Sequence, residues 1–226
     1  MRVLIFGATG MVGQGVLLAC LKAADVECLR TVGRAKTGRV DPKLDEVVHD
    51  DLFDLGTFEG ELQPFDACFF CLGVSSLGMQ EPAYTRLTYD LTLAIAQPLA
   101  RLNPQMTFVY VSGASTDSSE RGKAMWARVK GRTENALQRL SFKAVYLFRP
   151  GVMLPVEGFK SKTRWYSAIY ALLGPVFKIV TAVRPGSLLT TEGLGNAMLE
   201  VTRHGASAPV VEVPELKALA NRHRAG

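Results

Sequence analysis

A chain of 226 residues has room for one domain with a full core and at most a small appended lobe. A hydrophobic fraction of 48% and a charged fraction of 21% exclude a disordered or fibrous chain. The net charge of +5 and pI of about 9.1 are basic without being extreme; they leave nucleic acid or an anionic membrane open, but a small anionic ligand would account for much of the excess, and nucleic acid is not the expected partner.

The first strand is expected over 2–6 and runs into Gly7-Ala8-Thr9-Gly10-Met11-Val12-Gly13, after which apolar residues recur at helical spacing (Val12, Val16, Leu17, Leu21). Strand, tight turn and helix in that order form a dinucleotide cradle. Gly7 allows the sharp exit and Gly10 lets backbone N–H groups approach a pyrophosphate at the helix N-terminus. Gly13 lets helix and sheet pack closely. The spacing G-x-x-G-x-x-G is a variant of the commoner G-x-G-x-x-G.

Further strands are expected at 27–32, 46–49, 67–72, 106–112 and 143–149, most of them nearly continuously apolar. Such runs belong to strands buried on both faces, so the chain reads as an α/β protein with a doubly wound parallel sheet. The second strand ends at Gly33-Arg34, with Lys36 and Arg39 following. An acid at this place would bind a ribose 2′-hydroxyl; a guanidinium can fork onto a 2′-phosphate, which favours NADP over NAD. At the end of the third strand, Asp51 can accept from an adenine amino group while Leu52 packs on the ring, with Asp50 as the alternative acid. His49 is read as structural.

Four cysteines occur, at 20, 28, 68 and 71. No secretory signal pattern precedes the first strand, so a reducing cytoplasm is expected. Cys68-Phe69-Phe70-Cys71 spells C-x-x-C, but residues three apart on a buried strand point to opposite faces, so neither a redox pair nor a metal site is expected. The chain should pass beneath the cofactor at Leu72-Gly73. The fifth strand delivers Ser112 and Ser115 to the C-terminal edge, where parallel sheets bind ligands; both are candidates for catalysis or binding.

A helix is expected over about 121–140. At 100° per residue, Arg121, Arg128, Arg132 and Arg139 fall within about 20° of one line, which reads as a solvated face with an anionic partner as the lesser alternative. Lys130 lies on the opposite side with Trp126, Thr133, Leu137 and Leu140. An inward lysine is costly without a partner, so Lys130 is a candidate functional residue.

These residues resemble the atypical short-chain dehydrogenase/reductases, particularly the NADP(H)-binding branch with Tat-interacting-protein-like and epimerase-like members. The resemblance rests on Gly7, Gly10 and Gly13, on Gly33-Arg34, Asp51-Leu52 and Leu72-Gly73, on the serines after strand five, on Lys130, and on Phe148-Arg149-Pro150-Gly151. It implies a single Rossmann domain over 1–226, with 1–151 as the cofactor-binding core and 152–226 as a smaller substrate or interaction portion. It also implies a nicotinamide dinucleotide and a small carbonyl-type substrate. The implied cofactor-binding set is Gly7, Thr9, Gly10, Met11, Val12, Gly13, Arg34, Asp51, Leu52, Leu72, Gly73, Ser112, Lys130, Pro150, Gly151 and Val152, with Ser115 and Lys130 as catalytic candidates. One departure matters. The family's Y-x-x-x-K pair is here Trp126-Ala127-Arg128-Val129-Lys130. An indole N–H donates a hydrogen bond but does not shuttle protons at neutral pH. The readings are an oxidoreductase using Ser115, another hydroxyl or water, a cofactor sensor or scaffold, or a membrane- or nucleic-acid-binding protein with a vestigial site.

Beyond 151, residues 165–183 are apolar and aromatic but interrupted by Gly174-Pro175 and Lys178. They are expected to pack over the substrate cleft, with a membrane-surface or dimer contact as the alternative. A capped helix is expected from Thr190 to about Arg203 and a last strand over 210–213.

Overall fold

A computed structural model describes residues 1–155 and 189–222. Its seven-stranded sheet runs in the order β3-β2-β1-β4-β5-β6-β9, every pair parallel. The strands are β1 (Arg2–Phe6), β2 (Cys28–Gly33), β3 (Leu44–Val48), β4 (Ala67–Phe70), β5 (Thr107–Val111), β6 (Ala144–Arg149) and β9 (Val210–Glu212). A short parallel pair, β7 (Met153–Leu154) and β8 (Leu189–Thr190), stands apart. The six expected central strands all form, with ends within two residues of the sequence reading. Strand β3 starts two residues early, at Leu44, and ends at Val48, and the His49 N–H still bonds the Gly33 carbonyl.

Period-two alternation distributes the sheet's side chains between two cores. From β1, Val3 and Ile5 join one core, with Val16 and Leu17 of α1 (Met11–Lys22), Leu194 of α5 (Thr191–His204) and Leu216 of α6 (Val213–Arg222). Leu4 and Phe6 join the other, with Ile95 and Leu99 of α3 (Leu91–Leu102) and Leu137 of α4 (Met125–Leu137). Helix α1 crosses α5 at glycines: a methyl on Gly195 would lie 2.7 Å from Ala19 Cβ, and one on Gly15 would lie 2.3 Å from Thr191 Oγ1. The Thr190 hydroxyl caps α5 by accepting from the Gly193 N–H at 2.9 Å, as its sequence position suggests.

Between β4 and α3, helix α2 (Glu81–Thr85) continues through a π-helical turn (Arg86–Asp90) without leaving helical backbone angles. The winding from β1 goes one way to β2 and β3 and the other way to β4, β5, β6 and β9. The chain therefore reverses direction between β1 and β4, and a crevice opens beyond their C-terminal ends.

Candidate functional site

The crevice begins with Gly7, whose φ of +83° turns the chain sharply off β1. A methyl here would also lie 2.8 Å from the Cys71 carbonyl carbon, so the segments leaving β1 and β4 lie flush. Gly13 is the tighter constraint: its Cβ would lie 2.0 Å from the Gly7 carbonyl oxygen. Helix α1 thus starts directly against the strand exit. Its N-cap is Gly10, which supplies no side-chain acceptor. The Gly10 N–H bonds the Gly7 carbonyl at 3.0 Å, and the first-turn amides of Met11, Val12 and Gly13 are left for solvent or an anion.

At the far end of the crevice, Arg34, Lys36 and Arg39 follow β2 and are all exposed. Thr37 N–H bonds Glu46 at 2.7 Å and holds this loop against β3. His49 is structural, as read from the sequence: its Nε2 lies 2.8 Å from the Asp54 carbonyl and its ring sits edge-on to Phe58. Asp51 is exposed, and one carboxylate oxygen accepts the Phe53 N–H at 2.9 Å, closing a local turn. Leu52 is only 6% exposed and belongs to the core with Val32, Leu55 and Phe58.

At the near end, Leu72 is half-buried and Gly73 exposed; a methyl on Gly73 would meet nothing within 4 Å. Ser112 is buried, with its hydroxyl 3.0 Å from that of Thr116, and Thr116 donates to the Gly113 carbonyl at 2.8 Å. Ser115 is exposed with φ of +68°, so the two serines differ: one is fixed in a hydroxyl pair, the other stands free on a left-handed turn. The backbones of β5 and β6 stay joined past their ends, Ala114 N–H to the Pro150 carbonyl at 2.9 Å. Gly151 and Val152 are exposed beside them.

Trp126 and Lys130 face the end of β5 from α4. The nearest atom to a methyl on Gly113 would be a Trp126 ring carbon at 3.9 Å. Lys130 Nζ lies 3.5 Å from the Val111 carbonyl and 5.3 Å from the Tyr110 ring centroid. Burial pulls the ammonium down to about 8, with the Glu134 carboxylate partly opposing it.

Several determinants were not read from the sequence. Helix α4 begins at Met125, not near 121, because Asp117 gathers the Ser119 and Gly122 amides into a loop. Gly131 presses this loop onto α4; its Cβ would lie 1.8 Å from the Asp117 carbonyl oxygen. Arg149 on β6 is 9% exposed and makes a bidentate pair with Glu134 of α4, with Nε to Oε1 at 3.1 Å and Nη2 to Oε2. The same guanidinium bonds Ser118 and reaches Glu212 at 3.3 Å. Helix, loop and both strands meet at this one side chain. The arginine row is not simply solvated. Arg128 pairs with Glu81 at 2.6 Å and Arg132 stacks 4.2 Å from the Tyr89 ring centroid, both docking α4 against the α2–α3 helix.

Cys68 and Cys71 behave as expected, one in each core, all cysteines being free. Burial pushes both thiols well above their ordinary range. Among the described residues, no helix is long and apolar enough to cross a membrane. The stretch 165–183 and the tail from His223 lie outside the described residues.

No family model matches the chain. Among curated proteins it is similar to "Protein fmp52, mitochondrial" of Emericella nidulans, 26% identical over 221 residues, covering 94% of this chain and 91% of the relative. "Protein fmp52-2, mitochondrial" of Aspergillus terreus is 27% identical over 169 residues, covering 73% and 72%. "Protein HTATIP2" of Rattus norvegicus is 27% identical over 154 residues, covering 67% and 62%. Among solved structures, the Bordetella bronchiseptica enzyme WbmF in complex with NAD+ aligns with a TM-score of 0.64 at 16% identity, covering 99% of this chain and 77% of that one. A short chain dehydrogenase family protein from Francisella tularensis aligns at 0.67 and 11% identity, covering 94% and 96%. The fold is thus the Rossmann fold of these proteins, and the resemblance to the atypical short-chain dehydrogenase/reductases holds in both comparisons. The expectation of a cytoplasmic protein is overturned: several of the fungal relatives are named as mitochondrial. That expectation had only the lack of a signal pattern behind it, and a reducing environment is not peculiar to the cytoplasm.

Proposed function

We propose that the chain is an NADP(H)-dependent oxidoreductase of the atypical short-chain type, acting on a small carbonyl compound. The observation that carries this reading is the contact of Gly13 with Gly7. It seats an uncapped helix N-terminus against the exit of β1, at the point where the sheet reverses. A dinucleotide fits these residues. The first-turn amides at Met11, Val12 and Gly13 would take the pyrophosphate, Thr9 and Gly10 leaving room for it. Arg34 makes no hydrogen bond or ion pair with the described residues, so its guanidinium is available to a 2′-phosphate, with Lys36 and Arg39 adding to the local field. Asp51, exposed, would accept from the adenine amino group, with the buried Leu52 beneath that end. The open space over Gly73, with Leu72 beside it, would admit the nicotinamide half. Lys130 would hold ribose hydroxyls, and Pro150, Gly151 and Val152 would close the far wall.

A bound nicotinamide supplies the hydride; the chain's own groups orient the carbonyl. Ser112 gives its proton to Thr116, which donates on to Gly113, so Ser112 would line the space as an acceptor, and the exposed Ser115 would be the hydroxyl that donates to the carbonyl oxygen. Val74 is 41% exposed, Leu77 72% and Val152 64%, all beyond the C-terminal ends of β4 and β6. This apolar rim favours carbonyl compounds with apolar bodies. Residues 1–151 then form the cofactor core, and 152–226 the portion that shapes the substrate side. A cofactor sensor with little chemistry is the second reading, favoured by the indole of Trp126 standing where the family has a phenol.

The experiment is to measure NADPH binding together with NADPH oxidation over a panel of apolar aldehydes and ketones. Binding with sustained oxidation supports the oxidoreductase. Tight binding without turnover on any member supports the sensor, and no binding of either nicotinamide cofactor overturns both.

A further inference from the structure

We infer that Lys130 is the proton donor of the carbonyl reduction, doing the work that a tyrosine at position 126 would do. The inference rests on the oxidoreductase reading above and adds to it the source of the proton. A carbonyl held over Gly73 would take its proton from a group near the end of β5, and most titratable groups there are committed elsewhere. Glu134 is held by Arg149, and Glu81 by Arg128. Asp117 accepts from Ser119 and Gly122, which keep its carboxylate ionised below the usual range. Tyr84 and Tyr110 are 2% and 1% exposed, and burial pushes both phenols up. Tyr89 lies under Arg132, and His49 sits at the other end of the crevice.

Lys130 differs from all of these among the described residues. Its neighbours come from α4 and β5, and neither presents it with a free carboxylate. On its own helix the nearest acid is Glu134, already doubly bonded to Arg149 of β6. From β5 it meets the Tyr110 ring and the Val111 carbonyl, the latter at 3.5 Å. On the α2–α3 helix, which docks on α4 through Arg128 and Arg132, Tyr84, Thr88 and Thr92 are buried and carry no charge. An ammonium has three N–H donors, and Val111 takes one of them weakly. Two remain, enough for a ribose hydroxyl and a substrate oxygen together. Burial has brought the group to about 8, close to where an acid must lie to give up a proton near neutral pH.

The step balances. The carbonyl carbon accepts a hydride, and the C=O π pair moves onto oxygen. That oxygen takes a proton from Lys130 Nζ, leaving a neutral amine and an alcohol. A solvent proton then restores the ammonium, so each turnover would consume one proton and one NADPH, the hydride source, which leaves as NADP+.

The first test needs no substrate. Trace labelling of the free protein with acetic anhydride across pH, read at Lys130 by mass spectrometry, should show an amine titrating near 8. An ordinary lysine titrates at about 10.4, and that result would overturn the proposal. The second test compares wild type, Lys130→Arg and Lys130→Met for NADPH affinity and for NADPH-dependent reduction of 4-nitrobenzaldehyde. Arginine keeps the charge for ribose but does not release a proton. Lys130→Arg should therefore hold NADPH within about threefold while turnover falls ~10²–10⁴-fold, the span of a lost general acid. Wild-type kcat should fall on the alkaline side with an apparent pKa at or above about 8, since the bound anion raises it. Parental turnover and an unchanged pH profile in Lys130→Arg would refute the proton role and leave the oxidoreductase reading standing. NADPH binding by wild type without reduction of 4-nitrobenzaldehyde or any other member of the carbonyl panel would refute the proton role together with the oxidoreductase reading and select the sensor. Failure of wild type to bind NADPH refutes the cofactor reading itself.

Discussion

A methyl group at position 13 would sit 2.0 Å from a backbone oxygen, while one at position 10 would meet the same Gly7 carbonyl oxygen at 3.3 Å. The first contact cannot relax by swinging a side chain; the second needs a shift of a few tenths of an ångström. Gly13→Ala is therefore expected to move α1 off the exit of β1, weakening NADPH at least tenfold and lowering Tm, whereas Gly10→Ala should leave Tm near the parental value. Thermal unfolding and cofactor titration check both. The triplet was legible because a glycine period followed by an apolar helix pattern is a local signal. Thr116 was not, because its pairing with Ser112 depends on a turn whose geometry no spacing reveals. Lys130 makes a prediction of its own. Its folded pKa is lowered, so between about 8 and 10.4 the unfolded chain binds more protons and stability from this group rises with pH. Below that window the cost of a charged, buried amine is fully present. Lys130→Met should thus be more stable than the parent at pH 7 in urea, with the advantage fading as pH passes 10. A constant difference across this range would contradict the burial of that charge.

Helix α4 shows what an element-level reading captures and what it misses. Its apolar face, with Thr133 and Leu137 buried and Trp126 and Lys130 turned to the sheet, followed from a 100° period. Its start did not, because Asp117 competes for the Ser119 and Gly122 amides and delays the first turn. Nor did the Arg149–Glu134 pair, whose partners are fifteen residues apart and meet only once α4 is laid on β6. The arginine row was read as solvated because helical periodicity finds a face without finding what docks there. The buried pair allows a firm expectation. Glu134→Ala leaves a guanidinium 9% exposed without its bidentate partner, which should cost about 3–5 kcal/mol in urea unfolding. Adding Arg149→Met removes the orphaned charge and should recover part of that loss. A single mutant as stable as the parent would show that Ser118 and Glu212 suffice to hold Arg149.

Across the whole molecule, the strand order β3-β2-β1-β4-β5-β6-β9 gathers the glycine turn, the basic loop after β2 and the hydroxyls after β5 at one edge. The α/β class was legible because buried parallel strands read as unbroken apolar runs, and these recur at regular intervals. The substrate side was much less so, since the residues after 151 carry no motif whose chemistry fixes a role. The cellular site was not legible at all: a compartment is addressed by signals outside the physics of folding, and the correction came from named relatives. The central claim concerns the edge itself, namely that it takes a dinucleotide carrying a 2′-phosphate. Titrating NADPH and NADH by intrinsic fluorescence into the wild type and Arg34→Ala tests it most directly. A hydrogen bond to a charged group contributes roughly 1.5–3 kcal/mol. NADPH should therefore bind the wild type more tightly than NADH, and Arg34→Ala should weaken NADPH about 10- to 150-fold while sparing NADH. Equal losses for both cofactors, or a wild type that prefers NADH, would contradict it.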